Sequence, residues 1–157
     1  MKLVFFYLKG KTEPWAEQAC EDLEKKINHF FTFERVAVKS KANDRDNAIA
    51  KTREETMALL NKFEPNDFVV LFDESGKEYK NSIDFSRAVI DCLGRQSSRI
   101  VFVIGGPYGF SDEIKKRANL QWSLSKLTMN HHVAQVVALE QLYRALTIWK
   151  GLPYHNS

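Results

Sequence analysis

Ile100-Val101-Phe102-Val103-Ile104-Gly105-Gly106-Pro107-Tyr108-Gly109 is the stretch on which the reading of this sequence turns. An unbroken run of apolar, largely β-branched residues predicts a strand covered on both faces, and a glycine-rich turn follows it at once. Three other runs have the same character: Leu3–Leu8, Phe33–Val38 and Phe68–Phe72. Helical patterns lie between them. Ala16, Ala19, Cys20, Leu23, Ile27 and Phe30 form one apolar stripe, and Phe85, Ala88, Val89, Cys92 and Leu93 form another. The segment from Asn47 to Phe63 is more charged, but no proline or glycine interrupts it. Parallel neighbours need crossover connections, so this alternation predicts an α/β fold with a mainly parallel sheet and helices on both faces.

After Ile104 the alternation breaks. A helix of about eight residues is expected to open near Ser111-Asp112-Glu113, and Leu120–Asn130 then has neither the helical nor the strand period. A last helix is expected from about His132 to Lys150, apolar nearly all round. Glu140, Gln141 and Arg144 make one narrow polar stripe on it, and Gln135 stands alone on another side. A helix of this kind is buried in the core or against another subunit.

Composition agrees with one ordinary domain over residues 1–157. The chain carries 23 Lys+Arg against 20 Asp+Glu, a formal charge of +3, with 44% hydrophobic residues. At this length about 70% of the unfolded chain's surface can be buried, so no disulfide or metal staple is required. Disorder, collagen and disulfide scaffolds are excluded. Along the chain the charge is uneven: residues 1–99 hold 17 basic and 17 acidic side chains, whereas residues 100–157 hold 6 and 3. On that count an anionic partner is permitted at the last third, though +3 is far from a basic tail that would demand one. Cys20 and Cys92 fall at apolar helix positions and read as small buried hydrophobes in a reducing, cytoplasmic setting. No apolar run reaches the about 18 residues of a membrane span, and the apolar N-terminus is too short for a signal peptide.

Two places invite chemistry. The Gly105–Gly109 cluster sits where open α/β sheets bind ligands, at a strand's carboxyl end, and it matches neither a Walker loop nor a dinucleotide fingerprint. It is either a ligand loop or a tight connection. Trp122–Asn130 is long for a connection in a compact domain, which suits a functional loop as well as a surface one. His131-His132 lacks a usual zinc spacing, and no metal is expected. Tyr154-His155 is either a loose tail or a pair of rings delivered to a site. Lys115-Lys116-Arg117 reads as a solvated face. No Ser-His-Asp order or paired carboxylates support hydrolysis.

In order, Ile104-Gly105-Gly106-Pro107-Tyr108-Gly109, Ser123-Leu124-Ser125-Lys126-Leu127-Thr128, Glu140-Gln141-Leu142-Tyr143-Arg144-Ala145 and Pro153-Tyr154-His155 resemble the ribosomal RNA large subunit methyltransferase H family. These are 23S rRNA pseudouridine-N3 methyltransferases of the SPOUT, or trefoil-knot, class. The resemblance spans the whole chain. It implies a C-terminal knot, an S-adenosylmethionine cofactor, 23S rRNA in the ribosome or large subunit as partner, and a homodimer with the last helix in its interface. By match to the family, the cofactor positions are Phe72, Gly106, Ser125, Lys126, Leu127, Thr128, Met129 and Asn130. This chain departs by having Asn130 where the family usually has Pro, Gln135 where it has Arg, and Asn156 where a charged residue commonly follows the Tyr-His pair.

The resemblance gives His155, Tyr154 and Arg144 catalytic roles: His155 as base or imide-anion stabiliser, Tyr154 orienting the base, and Arg144 engaging phosphate or a carboxylate. Glu140 one turn before Arg144 could equally pair with it. Bulk at Gly106 is expected to fill the space that the adenosine needs. An alternative reading is a knotted RNA-binding or ribosome-assembly module that has lost catalysis, with Gln135 as its trace. A flavodoxin-like binder would account for the sheet and glycine loop but not for Leu120–Asn130.

Overall fold

The computed structural model describes residues 1–95 and 97–156. Five strands and five helices follow one another: β1 (Lys2–Leu8), α1 (Pro14–Ile27), β2 (Thr32–Val38), α2 (Ala48–Lys62), β3 (Phe68–Lys77), α3 (Ser82–Leu93), β4 (Arg99–Ile104), α4 (Asp112–Arg117), β5 (Leu120–Trp122) and α5 (His131–Lys150). The strands form one sheet in the order β2-β1-β4-β3-β5. Every pairing in it is parallel. The expected α/β architecture with a parallel sheet is therefore the observed one.

Alternation along the strands explains why their sequences are apolar without a break. Leu3, Phe5, Phe33, Val70, Phe72, Ile100 and Phe102 point to one side, where Cys20, Leu23 and Ile27 of α1, Phe85, Val89 and Cys92 of α3 and Leu139, Leu142 and Leu146 of α5 cover them. Val4, Phe6, Val38, Val69, Leu71, Val101 and Val103 point to the other, under Leu59 of α2 and Ile114 of α4. Both cysteines are buried and free. Burial pushes the Cys92 thiol up to about 12, so it behaves as an apolar group.

Polar side chains set the helix starts. Asn47, Asn81, Ser111 and Asn130 each accept the N–H three residues on, at the heads of α2, α3, α4 and α5. In α1, Pro14 occupies the first turn instead. The cap at Asn130 answers one departure from the family pattern: a proline there could not accept this bond, and asparagine starts the helix by its side chain.

Two elements differ from expectation. The helix after Ser111 is six residues, closed at Ala118. Leu120–Trp122, which shows no period in sequence, is the edge strand β5 beside β3. Trp122 anchors it: the indole is 1% exposed. Its ring lies 5.2 Å from Phe85, 6.1 Å from Phe72 and 6.1 Å from Phe102. Three residues are too few to show a two-residue period, so tertiary pairing rather than pattern defines this strand.

The β3–β5 pairing needs Gly76. A Cβ there would sit 2.6 Å from the Gln121 carbonyl carbon, 2.7 Å from its oxygen and 2.7 Å from the Trp122 nitrogen, all backbone atoms that cannot step aside. A Cβ at Gly94 would meet only ordinary contacts of 3.4 and 3.5 Å. Gly76→Ala is expected to destabilise the fold by about 1–3 kcal/mol, as overpacking does, with Gly94→Ala close to wild type. Thermal denaturation of the two variants measures this, and equal melting temperatures would contradict the close approach.

Candidate functional site

Three strand ends meet at one cavity. Residues 72–75 in the outer half of β3, 104–110 at the end of β4 and beyond it, and most of 124–131 leading from β5 into α5 together line a space of about 750 Å³. That is the size range of a small-molecule or cofactor site. The neighbouring order of β4, β3 and β5 in the sheet brings these segments side by side at the carboxyl edge, where open α/β sheets bind ligands.

Of the positions matched to the cofactor, Phe72, Gly106, Ser125, Leu127, Thr128, Met129 and Asn130 all line this cavity. Lys126 does not. Its ammonium turns back to the Glu74 carbonyl at 2.7 Å and to Glu78 at 3.7 Å, so it ties the loop to the end of β3. Ser125 accepts the Leu127 N–H through its hydroxyl at 2.9 Å, and Ser123 N–H bonds to the Lys77 carbonyl at 2.8 Å. Among the described residues, the N–H groups of Lys126, Thr128 and Met129 have no recorded partner within the chain. Free backbone donors beside Leu127, Met129 and Phe72 suit a flat heteroaromatic ring that needs apolar walls and edge-on hydrogen bonds. S-Adenosylmethionine carries such a ring, so the residues present fit it.

Asp73, Lys115 and His131 also line the cavity; Asp73 is not singled out by the sequence, and Lys115 and His131 enter there only as part of a solvated face and of a metal candidate. Lys115 of α4 pairs with Asp73 at 3.6 Å across the mouth. Asp73 directly follows Phe72 at a strand's carboxyl end, and that position was the available signal. Burial and the neighbouring His132 lower the His131 pKa below its ordinary value.

Gly106 is sandwiched. A Cβ there would lie 2.5 and 2.6 Å from the two carboxylate oxygens of Glu55, on α2, not in the cavity. The first atom added at Gly106, a residue that lines the cavity, therefore meets the mobile end of the Glu55 side chain. Glu55 Oε1 is buried with no hydrogen-bond partner, and burial raises the pKa of the carboxyl while Lys51 opposes the rise. Nearby, Thr56 donates to the Ser111 hydroxyl at 2.7 Å, fastening α2 to the start of α4.

A second cluster forms at the far end of α5. Glu140 Oε1 accepts from Arg144 Nε at 3.0 Å and from the Tyr154 hydroxyl at 3.1 Å. Arg144 Nη1 lies 3.1 Å from His155 Nδ1, and its guanidinium stacks 4.7 Å over the Tyr154 ring. The Tyr154-His155 pair is therefore docked on its own helix. None of Arg144, Tyr154 and His155 lines the cavity in the same chain. Ten residues separate Arg144 from the cavity-lining Ala134, about 15 Å along a helix.

Gln135 is buried and accepts from Arg35 Nη1 of β2 at 3.3 Å. The Arg35 side chain is only 4% exposed. It is held by Glu17, by Glu24 at 3.6 Å and by the face of Tyr7 at 4.8 Å. A guanidinium thus reaches this spot from β2 in a chain that lacks one at position 135.

A protein-family model described as "Predicted SPOUT methyltransferase" matches residues 1–155. Relatives named "Ribosomal RNA large subunit methyltransferase H" are similar over nearly the whole chain. The Bdellovibrio bacteriovorus protein is 43% identical, with 99% of each chain covered. That of Bacteroides fragilis is 37% identical with the same coverage. The Cytophaga hutchinsonii protein is 33% identical over 99% of this chain and 100% of its own.

The Gly106–Glu55 contact can be isolated by coupling. Gly106→Ala is expected to cost no more than about 1 kcal/mol, because the carboxylate it displaces is the mobile end of its side chain. In the Glu55→Ala background the same change is expected to cost less than half as much. Denaturation of the four proteins of this cycle measures it, and additive losses would mean that the added methyl meets something else.

Proposed function

This chain belongs to the SPOUT methyltransferase family, among the ribosomal RNA large subunit methyltransferase H proteins, and from that premise we propose that it methylates N3 of a pseudouridine in 23S rRNA of the large ribosomal subunit. The observation that carries this reading is the three-segment cavity, which gathers seven of the eight positions matched to the cofactor. S-Adenosylmethionine supplies a methyl already activated by its sulfonium, so the protein's work is to hold the acceptor in line and exclude water. In this reading Phe72, Leu127 and Met129 wall the cofactor, and the amides of Lys126, Thr128 and Met129 meet its adenine edge. The connection from β5 to α5, running beside the Gly105–Gly109 loop, forms the knot of the family.

Pseudouridine N3 is an imide nitrogen and becomes nucleophilic when its proton leaves. Arg144 stays protonated and can only donate, so His155 Nδ1 accepts and the ring's proton sits on Nε2. His155 in this tautomer offers a donor, not a base. We assign it to stabilising the developing charge on an imide oxygen, with Tyr154 orienting the base and Arg144 holding both rings.

The distance along α5 gives the oligomer a task. Val133, Val137, Glu140, Arg144 and Ile148 recur at helical spacing and are each half-exposed. A homodimer sealed along this stripe brings the Tyr154-His155 end of one copy toward the cavity of the other. The ground for a module that has lost catalysis weakens, because Arg35 brings a guanidinium to Gln135. The reaction is placed in the cytoplasm, where large subunits are made.

The decisive experiment is mass spectrometry of rRNA nucleosides from cells with and without the gene. Loss of one methylated pseudouridine is expected, and an unchanged profile would overturn the assignment. In purified protein, His155→Ala should slow methyl transfer to large subunits by about 10²-fold or more, as loss of one stabilising donor does. S-Adenosylmethionine affinity by calorimetry should stay within twofold. Wild-type turnover in that variant would remove His155 from the chemistry.

A further inference from the structure

Summed along the chain, the excess positive charge belongs to residues 100–157, but in space four of the six cations there are already engaged, Lys116 and Lys150 being the exceptions. Lys115 pairs with Asp73 at 3.6 Å, Lys126 with Glu78 at 3.7 Å and Arg144 with Glu140 at 2.5 Å. Arg117 donates to the carbonyls of Glu64 at 2.9 Å and Asp67 at 3.2 Å. The neutral first part holds the reverse arrangement. Lys9, Lys11, Lys39, Lys41, Arg45 and Arg53 are all exposed. Among the described residues, none of the six has a carboxylate within 4.0 Å.

Topology gathers them. Lys9 and Lys11 follow the carboxyl end of β1, Lys39 and Lys41 follow that of β2, and Arg45 and Arg53 flank the first turns of α2. Leu8 pairs with Val38, and Lys9 N–H bonds to the Val38 carbonyl at 2.9 Å, so the two loops leave the sheet together. Tyr7 pairs with Ile104, the residue just before the Gly105–Gly109 loop. At about 4.8 Å per strand, the Lys9 and Lys39 positions stand about 5 and 10 Å from the strand that carries that loop. The same sheet edge therefore presents the cavity over β4, β3 and β5 and a row of free cations over β1 and β2. Asp44 and Asp46 lie within the row, and the Asp46 carboxylate is turned inward to the Asn43 N–H at 2.9 Å.

We propose that this β1–β2 rim is the surface on which the protein grips the phosphate backbone of its RNA, positioning the target base over the neighbouring cavity. The inference rests on the rRNA reading above. Several unpaired cations suit a polyanion whose counterions they displace. The contact sets register and orientation, and base identity is left to the cavity. Paired lysines on the C-terminal side do not offer this.

Large ribosomal subunits purified from cells lacking the gene are the probe, with binding followed by co-sedimentation from 50 to 200 mM KCl. Two variants, Lys9→Gln/Lys39→Gln and Lys41→Gln/Arg45→Gln, each remove two cations. Either decides alone if the other misfolds. Each is expected to bind at least about fivefold more weakly and to flatten the slope of log affinity against log salt by about 1.4 to 1.8. S-Adenosylmethionine affinity should be unchanged. Lys2→Gln/Lys62→Gln, at the opposite edge of the sheet, should match wild type. Unchanged affinity and slope in the rim variants would overturn the proposal. Weaker binding with the wild-type slope would mean that the rim meets a ribosomal protein, and would overturn it too. If wild type itself fails to bind subunits and rRNA methylation is unaltered in the cells, the rRNA reading falls; if wild type binds and methylates while the variants equal it, only the rim does.

Discussion

Everything near the cavity depends on where α5 must go. Ala138, Leu139, Leu142, Ala145 and Leu146 of this helix fill the slot between α1 and α3 above the middle of the sheet. Ser86 of α3 donates to the Ala145 carbonyl at 2.7 Å inside that slot. Without α5 the strands β1 and β4 would leave one face open to water. The chain, however, arrives at α5 from β5, the edge strand on the far side of β3. To reach the slot, residues 123–130 have to pass back over the carboxyl ends of β3 and β4, against the loop that leaves β4. The cavity is the space between those loops, a by-product of the demand that the core be closed on both faces.

The strands were legible because burial on both faces leaves one signature, an unbroken apolar run, and Leu3–Leu8, Phe33–Val38, Phe68–Phe72 and Ile100–Ile104 all carry it. Helix starts were legible where a capping side chain preceded them, at Asn47 and Ser111. β5 was not, because its register depends on Gly76 lying against the backbone of Gln121, a contact across more than forty residues. The apolar circumference of α5 fits core or interface equally in sequence; much of it is core, and a half-exposed stripe runs through Val137 and Arg144.

At the site, the run from Ser125 to Asn130 could be matched by its order in the chain, and seven of the eight matched positions do lie around one cavity. What order could not give was direction. Lys126 points away, Gly106 faces Glu55, and Arg144, Tyr154 and His155 assemble at the other end of the helix. The charge count is incomplete for a related reason: a sum over sequence ignores which cations have already found a carboxylate. The departures Asn130 and Gln135 also become intelligible only in space, one as a cap and the other as the partner of Arg35.

The burial of Leu139 and Leu142 has a bearing on the order of events during synthesis. α5 is the last helix to emerge, yet it supplies the centre of one core layer, and the segment entering it forms one wall of the cavity. A nascent chain that has exposed only β1 through β5 has an uncovered sheet and an unfinished pocket together. Completion of the core and completion of the pocket are thus one event.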